Sequence, residues 1–505
     1  MTISRRALIG AGLSTGAITA LGVGSRPAYA SNIAAFPFTL GVASGDPTSD
    51  GVVLWTRLAP EPLLPGFGMA GVGDVQVLWQ IATDERMADV VRAGAVVARS
   101  ADAHAVHVEV RGLEPDRHYW YRFRVGSQVS RIGRTRTFPA VGAAVSQLRF
   151  ATFSCANLPQ GRFAAYAHAA SQDLDVVLHL GDYIYEAAGA ANPVAGADRR
   201  HLPFKKLETL EDFRIRHTQY RLDPGLQEVH AAHPFIVVPD DHEVTNNMHV
   251  ETSQTLKANG YRAYWEHMPL RFSARPKGDA IQLFRSLEYG SLAAFNMLDT
   301  RQYRSRQLTG DFKALPPEAF DPNRTILGAE QERWLFDRMS RSASEWNLLA
   351  QQVYFAALDM APGDKTAYNT DKWDGYPVAR DRLAGFLHQA DVRNPISLAG
   401  DCHSAMVNDI TLTHDNTSPV VASEFIGSSV TSQKGNDAQF RAAMPENPEM
   451  LYYNGSERGY LVCEVTPERF RGDLWFVDDV LAADSGATMK ASYAVESGQL
   501  GAQQI

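Results

Sequence analysis

The sequence predicts an α/β (α+β) layered domain that is preceded by a smaller all-β domain. Residues 35–140 contain short β-branched and aromatic runs separated by turns, whereas strand and helix patterns alternate from residue 147 onwards. With 505 residues, 45% of them hydrophobic, the chain is long enough to bury more than one core. We therefore place domains at 35–140 and 147–480.

The segment 35–140 is predicted to be a β-sandwich of the fibronectin-III or Ig-like kind. Residues 106–110 alternate with period two, and a turn at 113–115 precedes the aromatic run 119–123. The pattern L-x-P-x-x-x-Y-x-Y in this portion resembles a fibronectin-type-III module. Such modules usually serve as packing partners, and the segment carries no residue pattern with chemistry of its own.

Residues 1–30 are predicted to be a cleaved export signal. Arg5 and Arg6 form a twin-arginine pair, a weakly apolar stretch covers 7–23, and Ala-Tyr-Ala at 28–30 supplies a cleavage pattern. These features indicate the Tat route, and so predict a periplasmic or secreted protein that contacts the Tat translocase during export. A membrane anchor is the alternative, but the apolar stretch is short and diluted by small polar residues. We expect no membrane span in the mature form.

The charge of the chain argues against a nucleic-acid partner. The formal net charge is −9, and removal of the signal, which holds three arginines and no acid, takes −9 to −12. An acidic protein lacks the basic patch that binds nucleic acid, and it suits neither anionic membranes nor polyanions. A small anionic ligand would therefore have to be captured locally, by a bound cation.

Polar loops follow six apolar strand patterns of the domain 147–480. In open α/β sheets, ligands bind outside the carboxyl ends of the strands, so we expect these loops to meet at one rim. Four of the six carry clusters of Cys, Asp, Tyr or His, which solvated turns explain poorly. The loops are Ser-Cys-Ala-Asn (154–157), Gly-Asp-Tyr-Ile-Tyr-Glu (181–186), Pro-Asp-Asp-His-Glu (239–243), Asp-Thr-Arg (299–301), Gln-Gln (351–352) and Gly-Asp-Cys-His-Ser (400–404).

The loops offer a mixed set of metal donors. Carboxylate and phenolate favour hard cations such as Fe(III), and a carboxylate can bridge two ions. Since the pKa of free tyrosine is about 10, a tyrosine ligand near neutral pH requires a strong Lewis acid, which Fe(III) fits better than Zn(II). The donors are Cys155, Asp182, Tyr185, Asp241, Asp401 and His403. The other two cysteines, Cys402 and Cys463, are interpreted as buried thiols.

Helices and the end of the chain complete the sequence-based prediction. Predicted helices include 161–172, 209–221, 329–342 and 380–390, and Thr209 with Asp212 forms a capping box for the second. The residues after 480 are small and polar, so 481–505 is predicted to be a tail that frays. His168, His217, His267 and His388 are interpreted as core or surface residues on helices.

Taken in order, the motifs resemble those of the PhoD-like alkaline phosphatases, within the calcineurin-like metallophosphatase superfamily. They are SCAN (154–157), LGDYIYE (180–186), DDHEVTNN (240–247), LDTRQYR (298–304), AQQVYF (350–355), DKWDGYP (371–377) and LAGDCHS (398–404). The resemblance extends over most of the chain, including the β-module and RGY-x-x-C-x-V-T-P-E at 458–468. It implies a catalytic domain with two stacked β-sheets flanked by helices. Pro239 departs from the aromatic residue expected before DDHE.

The resemblance also implies roles for individual residues. Cys155, Tyr185 and His403 would bind Fe(3+), and Asp182 would bridge Fe(3+) and Ca(2+). Calcium would be bound by Asp241 and Asp401. The catalytic residues would be His242, near the leaving group, and Asp182. Predicted substrate contacts are Asn157, Asn246 and Arg301, and Asn247 is a further candidate ligand or phosphate contact.

The function implied is that of an exported, metal-dependent phosphoester hydrolase. It would release inorganic phosphate from phosphate esters by attack of a metal-activated hydroxide. Two alternatives stay open. The same site could act on diesters, as a phosphodiesterase or phospholipase D-like enzyme. The chain could also be a non-catalytic calcium-binding surface protein, although calcium alone would not favour thiolate and tyrosine ligands.

Overall fold

A computed structural model describes residues 33, 35–361, 363–414, 418–434 and 436–505. The predicted export signal, residues 1–30, lies outside the described residues. Among the helices in the described part of the chain, none combines the length and the apolar composition needed to cross a bilayer.

Strands β1 to β8 occupy the N-terminal part of the chain. They are β1 (Val42–Thr48), β2 (Gly51–Arg57), β3 (Val75–Ala82), β4 (Val90–Ala98), β5 (Ala105–Arg111), β6 (His118–Val125), β7 (Gln128–Val129) and β8 (Gly133–Arg136). Five of them, β3, β4, β6, β7 and β8, form one sheet, whereas β1, β2 and β5 pair with one another. Apolar side chains of both sets, among them Leu54, Val77 and Tyr121, share one core.

Two larger sheets contain the strands that follow. These strands are β9 (Leu148–Phe153), β10 (Val176–His179), β11 (Pro234–Val237), β12 (Arg285–Tyr289), β13 (Ala293–Met297), β14 (Trp346–Ala350), β15 (Pro395–Ala399), β16 (Ala405–Thr411), β17 (Val420–Ile426), β18 (Met450–Asn454), β19 (Gly459–Val465), β20 (Arg469–Val477), β21 (Ala487–Glu496) and β22 (Gln503–Gln504). The ten-stranded sheet has the order β22-β21-β20-β19-β9-β10-β11-β1-β2-β5, and the seven-stranded sheet has the order β12-β13-β14-β15-β17-β16-β18.

Parallel strands at the centre of both sheets direct their carboxyl ends to the loops predicted to carry the site. β9, β10, β11 and β1 are parallel neighbours in the larger sheet, as are β13, β14, β15 and β17 in the smaller. Side chains of both sheets contribute to one core, in which the rings of Phe150 and Phe295 lie 5.2 Å apart. The predicted class, mixed sheets with helices after an N-terminal β-rich part, is confirmed.

In the described part of the chain, seven α-helices connect the strands. They are α1 (Ala164–Ala170), α2 (Leu210–Arg221), α3 (Pro224–Ala232), α4 (Gln254–His267), α5 (Gly328–Ser340), α6 (Pro377–Gln389) and α7 (Asp437–Ala443). The predicted capping box is confirmed, since the Thr209 hydroxyl accepts from Asp212 N–H and the Asp212 carboxylate accepts from Thr209 N–H. Helix α3 was not predicted, although Pro224 in its first turn after the capping residue Asp223 is a recognisable start signal.

Two sequence-based expectations need correction. The N-terminal sandwich is not separate, because β1 pairs in parallel with β11 (Ser44 with Pro234) and so extends the ten-stranded sheet. The tail 481–505 does not fray over its whole length, because β21 pairs with β20 and buries Tyr493 and Val495. The buried run 491–495 is short and consists largely of small residues, so its composition did not reveal a strand.

Buried histidines make the acid stability of the fold testable. Burial lowers the pKa of His107 and His233 to about 4, and that of His201 and His217 to about 3. An unfolded histidine has a pKa of about 6.5, so below that pH the unfolded chain binds protons that the folded chain does not. The stabilisation is therefore complete above pH 6.5 and is lost as the pH falls towards the folded values.

His217→Phe is expected to flatten this loss. The His217 ring stacks on His267 with centroids 5.0 Å apart, and neither of its nitrogens has a hydrogen-bond partner among the described residues, so phenylalanine keeps the packing. Between pH 6.5 and 4.5 the free energy of unfolding of the variant should fall less steeply with decreasing pH than that of the wild type. The two slopes should differ by up to about 1.4 kcal/mol per pH unit. Urea titrations at several pH values measure this slope. His388→Phe, at an exposed position, is the control, and equal slopes for all three proteins would contradict the prediction.

Candidate metal centre

Glycines allow the loops of both sheets to pack directly against one another. Gly181 follows β10 with φ 109°, and a Cβ there would lie 2.3 Å from the Cβ of Asp240 after β11. Gly400 follows β15, and a Cβ there would lie 2.5 Å from the Ser154 hydroxyl oxygen after β9. A side chain at either glycine would force the loops apart. The strand ends of the two sheets therefore meet here.

Four predicted ligands at this junction hold a left-handed backbone. The φ angles are 61° for Cys155, 55° for Asp182, 60° for Asp401 and 54° for His403. For residues other than glycine this conformation costs about 1 kcal/mol or more each. A hydrogen bond from Cys155 N–H to Gly181 C=O (3.2 Å) links two of the loops and holds them in place. Strain concentrated on predicted ligands is typical of a functional site.

Among the residues that the structure describes, three groups of donor side chains at the junction can each hold a cation. In every group the ligand atoms lie within 4.8 Å of one another. The groups are Cys155–Asp182–His403, Asp182–Asp241–His242 and Asp240–Asp241–Asp401. Because Asp182 and Asp241 each belong to two groups, the three form one continuous cluster. The structure thus brings together the predicted ligands Cys155, Asp182, Asp241, Asp401 and His403.

Two carboxylate oxygens in the cluster support the fit to a metal. Asp182 Oδ1 and Asp241 Oδ1 are buried and have no hydrogen-bond partner among the described residues. A buried carboxylate oxygen without a partner is costly, and a bound cation removes that cost. The side chains present therefore fit a metal centre.

Tyr185, the sixth predicted ligand, joins the cluster through its hydroxyl. The Tyr185 oxygen lies 2.9 Å from Asp182 Oδ2, to which it donates, and 3.1 Å from His403 Nε2. The Ser432 hydroxyl donates to the same oxygen at 2.6 Å. The phenol is therefore next to the Asp182 carboxylate and the His403 imidazole of the first donor group.

Burial governs the proton affinities of these donors. Burial raises the pKa of Asp182 to about 8, and it raises the pKa values of Cys155 and Tyr185 well above their ordinary values. Burial lowers the pKa of His403 to about 3, so its imidazole is neutral, the form that binds metals. Cations at the cluster would favour the deprotonated acids, because metal binding displaces protons from its ligands.

His242 is paired with a buried glutamate. Its Nδ1 lies 2.6 Å from Glu186 Oε2, and its Nε2 lies 4.0 Å from Asp241 Oδ1. Burial alone would lower the pKa of His242, but the carboxylates of Asp182, Asp241 and Glu186 raise it well above its ordinary value. Glu186 is itself fixed by the backbone N–H of Asn246 at 2.9 Å. The contact between Nδ1 and Glu186 fixes the orientation of the imidazole, so that Nε2 faces the cluster.

Two buried cations border the cluster. Arg301 contacts Asp401 at 2.6 Å and Asp371 at 2.9 Å, and it also pairs with Asp240. Lys372 contacts Asp371 at 2.9 Å and pairs with Asp401. The guanidinium of Arg301 is thus tied into the acidic loops, rather than free as a clamp.

The predicted asparagines are placed differently from one another. The backbone carbonyl of Asn157 accepts a hydrogen bond from the Thr431 hydroxyl at 2.8 Å. Asn246 contributes the backbone N–H to Glu186. Asn247 has φ 54°, and its N–H donates to Asp241 Oδ2 at 2.6 Å. These contacts of the three asparagines therefore hold the loops in their conformation.

Several residues at the cluster were not singled out from the sequence. Glu243 accepts the N–H groups of Tyr183 (2.6 Å) and Asp240 (3.0 Å), which ties the loops after β10 and β11 together. Glu186 and Glu243 lie inside recognised motifs, so motif membership could have flagged them. Lys372 lies inside the motif DKWDGYP, so motif membership could also have indicated it. Ser432 follows no strand-end pattern, and only the fold brings it to the site.

The fold and the cluster define the class: an α/β protein with donors for more than one cation at the carboxyl ends of parallel strands. The family model of the PhoD-like phosphatase matches residues 150–474, and the model of the PhoD-like phosphatase N-terminal domain matches residues 24–139. The chain therefore belongs to the PhoD-like phosphatase family, as the motifs predicted.

Individual relatives agree with this assignment. Alkaline phosphatase D of Bacillus subtilis (strain 168) is 42% identical, over 98% of this chain and 87% of the relative. A solved structure described as "Structure of PhoD" matches with a TM-score of 0.89 and 41% identity, and the match covers 94% of this chain and 93% of that chain.

Proposed function

We propose that this chain, a phosphoester hydrolase of the PhoD-like family, works as an alkaline phosphatase at the cluster of Cys155, Asp182, Tyr185, Asp241, Asp401 and His403. The observation that carries the proposal is the shared position of Asp182, whose carboxylate belongs to two donor groups and has a buried, unpartnered oxygen. A carboxylate in that position suits a bridge between two cations.

We propose Fe(III) and Ca(2+) as the cations. Cys155, Tyr185 and His403 would hold iron, because a buried thiol and phenol lose their protons only to a strong Lewis acid. Asp241 and Asp401 would hold calcium, which prefers carboxylate oxygens. When bound, the ions would neutralise charge on the phosphate oxygens and acidify water.

The protein side chains would position the ester and move a proton. His242, held by Glu186, would donate a proton from Nε2 to the departing alkoxide. Arg301 and Lys372 would place positive charge beside Asp401. We propose Arg301, Asn157 and Asn246 as phosphate contacts, and Arg301 would reach phosphate by releasing one of its contacts with Asp240, Asp371 and Asp401. Catalysis would then be mainly electrostatic and positional.

Metal content is the direct test of this proposal. Protein exported with its native signal should contain iron and calcium by elemental analysis, and a thiolate or tyrosinate bound to Fe(III) should colour it. Calcium without iron, and no esterase activity, would instead favour the non-catalytic calcium-binding protein.

Monoesters are expected to be better substrates than diesters. A phosphate monoester carries one more negative charge than a diester near neutral pH, and the buried cations beside the cluster favour the more highly charged anion. In the presence of calcium we expect kcat/KM for p-nitrophenyl phosphate to exceed that for bis(p-nitrophenyl) phosphate by about tenfold or more, which is about 1.4 kcal/mol. The reverse order would identify a phosphodiesterase or phospholipase D-like enzyme.

We also propose that the protein is exported by the Tat pathway to the periplasm or beyond the cell. The proposal rests on the arginine pair at positions 5 and 6, the weakly apolar stretch at 7–23 and the Ala-Tyr-Ala pattern at 28–30. Export that persists after both arginines are changed to lysine would count against the Tat route.

A further inference from the structure

A strap of residues 428–434, which follows β17, closes over the first donor group. Val430 N–H donates to Ser154 C=O at 3.0 Å, and Ser432 N–H donates to Cys155 C=O at 3.2 Å. Near the end of the strap, the backbone carbonyl oxygen of Gln433 lies 3.1 Å from His403 Nδ1. The strap therefore contacts the loops of two proposed iron ligands.

Ser432 places a hydroxyl between two acceptors inside this strap. Its Oγ lies 2.6 Å from the Tyr185 oxygen and 2.9 Å from the carbonyl of Cys155, and the side chain is fully buried. A serine hydroxyl has one proton, so it can donate to only one of these oxygens at a time. The contact with the Tyr185 oxygen is the shorter of the two.

The other groups around the Tyr185 oxygen are Asp182 Oδ2 at 2.9 Å and His403 Nε2 at 3.1 Å. If Tyr185 binds a metal through this oxygen, neither a carboxylate nor a metal-bound imidazole nitrogen can donate a hydrogen bond to it. Ser432 is the hydroxyl that the structure holds at this oxygen.

We propose that Ser432 is a positioning residue whose hydroxyl donates a hydrogen bond to the Tyr185 oxygen and thereby sets how strongly this ligand donates electrons to iron. The inference rests on the proposed function, since it takes Tyr185 as an iron ligand. A hydrogen bond to a ligand atom withdraws electron density from it, and such bonds tune metal sites. The same bond fixes the direction of the phenol relative to the donor group.

Ser432→Ala is the test, with the visible spectrum as the readout. Without the hydrogen bond, the Tyr185 oxygen donates electrons to iron more strongly. The charge-transfer band from this ligand to iron should therefore move to longer wavelength. The iron should also become harder to reduce, which titration with a graded reductant measures. Neither readout requires turnover, and an alanine of smaller volume leaves the fold intact, which circular dichroism checks.

Two further variants separate this role from a structural one. Thr431→Val removes the neighbouring hydroxyl, which donates to the Asn157 carbonyl rather than to a proposed ligand, and it should leave the band in place. Ser432→Thr restores a hydroxyl, and it should return the band towards the wild-type position.

The outcomes distinguish this inference from the proposal beneath it. An iron-containing Ser432→Ala protein whose band and reduction match the wild type would overturn the role of Ser432 and leave the metal assignment standing. A wild-type protein without iron or colour would overturn the metal assignment, and the role of Ser432 with it. Equal shifts in Ser432→Ala and Thr431→Val would identify a general effect of loosening the strap and would also overturn the proposal.

Discussion

Asp182→Asn is expected to abolish phosphate-ester hydrolysis and to release metal in the same protein. The carboxylate serves two of the three donor groups, so an amide at this position weakens both cation sites at once. We expect kcat/KM to fall by about a thousandfold or more. Elemental analysis of the purified variant should show less than one equivalent of each metal.

Asp473→Asn is the matched control for this variant. Asp473 is a buried aspartate on β20 that pairs with Arg471 at 2.8 Å, outside the three donor groups. It undergoes the same isosteric change and should keep both turnover and metal. Full turnover together with full metal content in Asp182→Asn would show that the cluster is not the active site.

His242→Asn is expected to slow turnover while the metals stay bound. A positioned general acid contributes about 100- to 10,000-fold, so kcat should fall within that range. The loss should be larger for an alkyl phosphate than for p-nitrophenyl phosphate, since the poorer leaving group depends more on protonation. Steady-state rates for both substrates, with elemental analysis alongside, measure this difference.

Glu186→Gln offers a graded comparison for the histidine variant. It keeps the imidazole but weakens the 2.6 Å contact that orients it, so its loss of turnover should be smaller and should follow the same leaving-group trend. Loss of metal in His242→Asn would instead make His242 a ligand, as the second donor group permits. Equal losses for both substrates would argue against proton donation.

The positions of the proposed ligands could be read from the sequence because each follows a strand. An apolar run that ends in Gly-Asp or Ser-Cys marks both the strand and the loop, and parallel strands bring such loops together. Cys155, Asp182 and His403 were found in this way, and their left-handed backbone is the local signature of those turns.

Residues that reach the cluster from connecting segments could not be read in the same way. Lys372 directly precedes a short 3-10 turn (Trp373–Gly375) that leads into α6, and Ser432 lies in the strap after β17. Neither segment has a period or a strand boundary that points to a site. Their approach depends on packing between elements far apart in the chain, which a single sequence does not encode in any local pattern.

The boundary between domains was hard to predict for a related reason. The strands β1, β2 and β5 have the composition of a free-standing sandwich, and only the pairing of β1 with β11 shows that the large sheet includes them. Backbone pairing between strands leaves little trace in side-chain composition, since any two apolar strands can satisfy it.

The pairing of β1 with β11 also bears on how the protein can be divided. Removing residues 35–140 would leave one side of β11 with unsatisfied peptide groups, which promotes association between copies. Ser44 pairs with Pro234, which is distant from it in the sequence. Because contacts between residues far apart in the chain form slowly, we expect the two parts to acquire their native contacts cooperatively and slowly. Exchange of the N-terminal part between relatives would succeed only if these three strands stay with the larger sheet.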